Sequence, residues 1–203
     1  LGSGVAISGS SFSGNENGAF FDRSETYACN VEVTGSDFSS NEKAIVQLGG
    51  LLTITDSDFT GNSGEYAAGV ATEGVDLKVE DSRFTDNYSS ESWSALYHFV
   101  GSVEISGCEF TGNQSSSEYQ SAVYLLAGNE EGDDITVSDT SFSDNVNGGM
   151  ETEDASTVTL TTQHTATTDP VTMRKKGKYQ EQLEQHQLLE QSRVTLDEVD
   201  IDN

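Results

Sequence analysis

The stretch Val5-Ala6-Ile7-Ser8-Gly9-Ser10-Ser11-Phe12-Ser13-Gly14-Asn15 decides the reading of this chain, because the chain repeats it. Copies begin at Val31, Leu52, Leu77, Val103 and Ile135, each with a β-branched residue or Leu in the first and third places. Phe stands seven places after the start, as Phe12, Phe38, Phe59, Phe84, Phe110 and Phe142. Asn follows three places later, as Asn15, Asn41, Asn62, Asn87, Asn113 and Asn145. A seventh copy, from Val158, keeps the first part but has Thr165 and Thr168 where Phe and Asn are expected. Self-similarity at a spacing of 21 to 32 residues is the signature of a solenoid.

Position gives the repeat its physical meaning. The first, third, sixth and eighth places are apolar, apolar, small and Phe, and these point inward. The fifth place (Gly9, Gly35, Asp56, Asp81, Gly107, Asp139) and the tenth (Gly14, Ser40, Gly61, Asp86, Gly112, Asp144) are mostly Gly or Asp. Both residue types tolerate left-handed backbone, so these places are corners. A weaker second element, a small residue before an apolar one, recurs at Ala19-Phe20, Ala44-Ile45, Gly69-Val70, Ala95-Leu96, Ala122-Val123 and Gly149-Met150. Each repeat therefore reads as one rung of a parallel β-helix, an all-β solenoid of about seven rungs. Rungs stacked about 4.8 Å apart put Phe on Phe in the core and let Asn amides bond up and down a ladder.

The repeats resemble those of polymorphic outer-membrane proteins and related pectin-lyase-like surface proteins. Six F-x-x-N units carry the likeness, with small-small-apolar units such as Asn17-Gly18-Ala19-Phe20 and Ser94-Ala95-Leu96 approximating the family's Gly-Gly-Ala-apolar element. The resemblance implies a right-handed parallel β-helix, exported to the cell surface or beyond as a passenger or adhesin.

Composition excludes several function classes. Among 203 residues, 35 are acidic and 9 are Lys or Arg, a net charge of −26. Nothing in that balance neutralises a row of phosphates, so nucleic acid is not a partner, and anionic membrane surfaces are disfavoured. No run of eighteen apolar residues exists, so direct membrane insertion through a helix is not expected. Only 33% of residues are hydrophobic, a level that raises suspicion of disorder. A thin solenoid core answers it, needing few apolar residues per turn.

Three segments are expected: a β-helix over residues 1–173, a polar amphipathic helix over 174–192 with Leu183, Leu188 and Leu189 as anchors, and a partial further rung over 193–203. Val194-Thr195-Leu196 begins that rung in the register of the earlier copies. The chain opens just before a rung without a polar cap. It is therefore expected to belong to a longer protein or to meet another chain at its end.

Each candidate for chemistry has a structural counterpart. Cys29 and Cys108 fall three rungs apart, beyond disulfide reach, and are expected as free thiols. His98, His164 and His186 lack metal-ligand spacing. Register brings Asp56 and Asp81 to one corner of adjacent rungs, with Asp58 and Arg83 one column across. As a cluster these suit weakly bound Ca²⁺ or an acid/base pair of a polysaccharide lyase or hydrolase, the alternative function. As architecture they are turn residues and an exposed ion-pair ladder Asp58, Arg83, Glu109, the favoured reading. Asp133 and Asp134, in the acidic loop with Glu130 and Glu131, are a second weak Ca²⁺ candidate. Asn87-Tyr88-Ser89 and Asn113-Gln114-Ser115 are glycosylation sequons, but both Asn belong to the internal ladder. Tyr66, Tyr88, Trp93 and Tyr119 lie in the longest excursions, as a recognition edge for protein or carbohydrate or as a cover for the coil's apolar edge. The expectation is a non-enzymatic, extracellular or cell-surface module, structural or adhesive, with no catalytic residue and no cofactor.

Overall fold

The computed structural model describes residues 4–22, 29–116, 121–128, 133–153, 157–161, 169, 171–175 and 194–198. Over these the chain winds as a parallel β-helix, and the copies stack in the register that the repeat predicts. Val5 pairs with Val31, then Leu52, Leu77, Val103, Ile135 and Val158 in turn. Phe12, Phe38, Phe59, Phe84, Phe110 and Phe142 form the centre of a six-stranded sheet. Their rings stack at 4.6 to 5.2 Å with planes within 12°. The small-apolar element forms a third column, Phe20, Ile45, Val70, Leu96, Val123 and Met150. The six strands of the Phe sheet enclose about five turns rather than seven rungs, with single strands of further turns beyond them.

The corners are where the repeat put them. All twelve residues at the fifth and tenth places have φ between +48° and +67°, including the non-glycines Ser40, Asp56, Asp81, Asp86, Asp139 and Asp144. Asp is the side chain besides Asn that best tolerates this backbone. Its use at five corners therefore accounts for part of the acid content.

Two hydrogen-bond ladders run the length of the core. From Asn41 through Asn145 the side-chain oxygen of each ladder Asn accepts from the backbone N–H and the amide of the Asn one rung earlier, as Asn62 Oδ1 does from Asn41 at 3.0 and 3.1 Å. The amide nitrogen also donates to a Phe carbonyl one rung back, at 2.9 Å from Asn41 through Asn145. At the seventh position the acceptor is Asp169 rather than the expected Thr168: its Oδ2 receives the Asn145 N–H at 2.8 Å and the Asn145 amide at 2.7 Å. An acceptor is all that the end of this ladder requires, and a carboxylate supplies it. The second ladder is made by the small sixth-place residues. The hydroxyls of Ser36, Ser57 and Ser82 accept the N–H of the residue one rung earlier at 3.1 to 3.2 Å. They also donate to the carbonyl two residues back at 2.8 to 3.0 Å.

Between the small-apolar and V-x-I columns the backbone bends. A Cβ at Gly101 (φ +125°) would stand 2.2 Å from the Val75 carbonyl oxygen, so only glycine fits there. Inward polar side chains satisfy the bend's carbonyls: Gln47 Nε2 donates to Cys29 O and Gly49 O at 3.0 Å, and His98 Nε2 meets Gly101 O at 3.0 Å.

The tail departs from expectation in register. Val171–Lys175 is a strand paired with Met150–Glu153, so Arg174 and Lys175 extend the solenoid instead of opening a helix. The rest of the expected helix lies outside the described residues. Val194–Glu198 pairs with Val171–Lys175 and so continues the small-apolar column, not the V-x-I column. A bare V-x-L alternation fits either column. The Phe and Asn that distinguish them are missing from this segment.

Candidate functional site

The acidic corner comes first, since the catalytic alternative rests on it. Asp56 and Asp81 occupy left-handed corners of adjacent rungs. Asp81 leans along the coil, with Oδ1 2.3 Å from where a Cβ would stand on Gly107, so its carboxylate lies over the next corner. Asp58 lies on the outer face of the Phe sheet, 3.5 Å from Arg83 Nη1, and Arg83 Nε lies 3.5 Å from Glu109 Oε2. All three side chains are more than half exposed, the regime where an ion pair contributes under about 1 kcal/mol. The Asp58–Arg83–Glu109 ladder is thus present in the order that the register predicts. Among the described residues, no three His, Cys, Asp or Glu side chains converge as a metal group would need.

Asp134 opens the strand Asp134–Ser138 at an open groove shared with Leu51, Asp76, Lys78, Ser102 and Glu104. Lys78 there already pairs with Glu80 at 3.1 Å and Glu104 at 3.5 Å. Asp133 is half-buried beside Gly128, and Glu130 and Glu131 lie outside the described residues.

The nucleophilic and titratable groups of the interior serve the fold. Both cysteines are free. Cys108 replaces Ser in the hydroxyl ladder, its Sγ 3.3 Å from Ser106 O, and burial pushes its thiol up to about 12. His98 is fully buried, with Nδ1 2.9 Å from Thr72 Oγ1, and burial pulls its pKa down to about 4. Asn87 and Asn113 are 0% exposed within the amide ladder, so neither sequon presents its Asn to solvent.

The aromatic edge divides. Tyr66 and Tyr88 are exposed at 55% and 44%. Trp93 instead folds against the coil, its ring centroid 4.0 Å from Tyr124 and 5.0 Å from Tyr97, and those two tyrosines are 5.8 Å apart. With planes within 24°, the indole roofs both tyrosine rings at about one ring thickness. Phe99 extends the group, 6.4 Å from Tyr97 and 36% exposed. Tyr119 lies outside the described residues. Burial and the charge of Glu73 raise the Tyr97 hydroxyl. Burial and Glu153, to which Tyr124 donates at 2.8 Å, raise that of Tyr124.

The sequence marks Trp93 as an excursion aromatic, whereas Tyr97, Phe99 and Tyr124 lie on regular strands that no motif marks. The signal was available in the alternation. Leu96-Tyr97-His98-Phe99 and Val123-Tyr124-Leu125-Leu126 place aromatic or apolar residues outward, where Val70-Ala71-Thr72-Glu73 and Met150-Glu151-Thr152-Glu153 place Ala or Glu.

No curated protein and no solved structure matches the chain. The family model of the right handed beta helix region matches residues 1–131, which takes in five of the six complete repeats. With the parallel registers and both ladders in place, the chain belongs to the right-handed β-helix family.

Proposed function

We propose that the chain is a non-enzymatic β-helix module of the cell surface or extracellular space, structural or adhesive, which acts through other protein chains or the remainder of a longer chain. The finer likeness to outer-membrane-protein repeats, and the surface display it implies, belong to this proposal. One observation carries it: architecture accounts for every recurring residue. Phe and Asn fill the core ladders, the sixth-place hydroxyls bind backbone, Asp turns the corners, and Arg83 joins Asp58 to Glu109. Such a coil is a stiff rod whose outer columns are free to vary, as a spacer or display surface needs.

The test is a turnover screen of the full chain on neutral and acidic polysaccharides, with Ca²⁺ and with chelator, following new reducing ends and unsaturated products. No turnover is the expected result. Cleavage that disappears in Asp56→Asn or Asp81→Asn would overturn the proposal in favour of a polysaccharide-active enzyme.

A further inference from the structure

An asparagine is lost when the backbone nitrogen of the next residue attacks its side-chain carbonyl carbon, so its lifetime depends on how the fold holds those two groups. From Asn41 through Asn145 both are held. Each side-chain amide donates to the next ladder oxygen at 2.7 to 3.1 Å. The nitrogens that would attack, those of Glu42, Ser63, Tyr88, Gln114 and Val146, each donate to the Asn carbonyl one rung earlier at 2.8 to 3.0 Å.

Two asparagines stand outside the ladder in Asn-Gly pairs, Asn17-Gly18 and Asn147-Gly148. Glycine has no Cβ to shield its nitrogen, which makes this pairing the most open to attack. The backbone itself calls for both glycines, with φ +98° at Gly18 and +120° at Gly148, and a Cβ on Gly18 would collide with the Phe21 ring. The two pairs are equal as dipeptides and unequal in structure. Asn147 sits at φ +73° with its amide 3.5 Å from Ser115 O. Gly148 behind it is buried, and its carbonyl accepts the Ala122 N–H at 2.9 Å. From left-handed backbone, swinging the Gly148 nitrogen over the side-chain carbon passes through forbidden φ/ψ space. Asn17 is exposed, lies outside the left-handed region, and precedes a glycine that is only half-buried.

We infer that Asn17 is a self-modifying site, which converts spontaneously to isoaspartate and aspartate ahead of Asn147 and of the ladder. Gly18 N bonds to Asn17 Cγ, the Cγ–Nδ2 bond breaks, and Nδ2 leaves as ammonia with the Gly18 proton. Water, the one co-reactant, then opens the five-membered imide. Cleavage at Cγ gives an aspartyl residue, and cleavage at the backbone carbonyl carbon gives an isoaspartyl residue with the chain rerouted through the side chain. Either product sets a new carboxylate beside Glu16 on the first coil. The isoaspartyl form also lengthens the turn that holds Gly18 against Phe21.

The full chain is held folded in mildly alkaline buffer at physiological temperature and sampled over weeks, beside a second portion in guanidinium chloride. Peptide mapping by mass spectrometry, with isoaspartyl methyltransferase labelling, reads each asparagine. In the folded chain Asn17 is expected to convert about tenfold faster than Asn147, and the ladder from Asn41 to Asn145 to stay intact. In guanidinium chloride the two Asn-Gly pairs are expected to react at similar rates, because only the fold separates them. Asn17→Ser, an exposed change whose fold circular dichroism checks, is expected to remove the early methyl acceptance. Three results would each overturn the inference: conversion of Asn147 as fast as Asn17 in the folded chain, a gap that persists in denaturant, or an Asn17 that stays intact while the denatured chain reacts.

Discussion

Removing one rung of the amide ladder separates its interior from its end. Asn62 is 0% exposed and takes part in four side-chain hydrogen bonds. Its amide donates to Phe38 O at 2.9 Å and Asn87 Oδ1 at 3.0 Å, and its Oδ1 accepts from Asn41 N and Nδ2. In Asn62→Ala two of the deserted groups keep other partners. Asn87 Oδ1 still receives the residue 62 N–H at 3.1 Å, and Asn41 Nδ2 still donates to Phe12 O at 2.9 Å. The Asn41 N–H and the Phe38 carbonyl lose these bonds inside the core. Each buried group left unsatisfied costs about 1 to 3 kcal/mol, so the variant is expected to lose about 4 kcal/mol. Asn15 tests the argument from the other side. Its side chain gives one ladder bond, to Asn41 Oδ1 at 2.7 Å, and Asn41 Oδ1 keeps the Asn15 N–H at 3.1 Å. Asn15→Ala is therefore expected to cost under about 1 kcal/mol. Urea unfolding followed by circular dichroism and Trp93 fluorescence measures both. Because a solenoid couples mainly nearest neighbours, amide hydrogen exchange should place the Asn62→Ala loss in the adjoining coils. Equal losses for the two variants would refute the reasoning, since residue type and not the orphaned backbone would then set the cost.

Asp169 is expected to act through its acceptor oxygen alone: Asp169→Asn should change stability by under about 1 kcal/mol, while Asp169→Ala should cost about 2 to 3 kcal/mol by stranding Asn145 N, as thermal melts of both variants check. Cys108 is buried with its thiol pKa pushed up, so a thiol reagent at neutral pH should modify Cys29 alone in the native chain and both cysteines after denaturation. For His98, a folded pKa lowered from 6.5 to about 4 means that the unfolded chain binds more protons between those values. Its contribution, of the order of 3 kcal/mol, is in place above pH 6.5 and falls away as pH drops toward 4. The difference in stability between the wild type and His98→Gln should shift with that sign across this window. A flat difference would count against a neutral buried imidazole.

The repeat made most of the fold readable before any coordinates. Inward and outward places, both sets of corners and the Phe and Asn columns follow from residues that recur, because stacked rungs force like residues into like surroundings. What escaped lies where the repeat fades. Asp169 takes the ladder position one residue past Thr168, since the ladder needs an acceptor and not a fixed spacing. Val194–Glu198 entered the neighbouring column because alternation alone does not choose between two apolar columns. The small sixth-place residues looked like space fillers, and the hydroxyl ladder they make became visible only with distances. The aromatic patch was half legible. Trp93 was marked by its excursion, but it folds inward over tyrosines that sit on regular strands and that no motif marks.

The charge of the coil also bears on where a partner can approach. Residues 1–170 hold 28 acidic and 4 basic side chains. Stacking brings like charges one rung apart, as at Asp37 and Asp58, well inside a screening length of about 8 Å at physiological salt. Lys78 and Arg83, on consecutive strands of one coil, each sit between two acids: Glu80 and Glu104 for the first, Asp58 and Glu109 for the second. These cations relieve the V-x-I and Phe faces where the acid columns are densest, and they leave those faces hydrated and ion-paired. The small-apolar face is handled differently. Between Glu73 and Glu153 its outward places turn to Tyr97, Phe99, Tyr124 and Leu126, so the column there lowers its repulsion by dropping charge altogether.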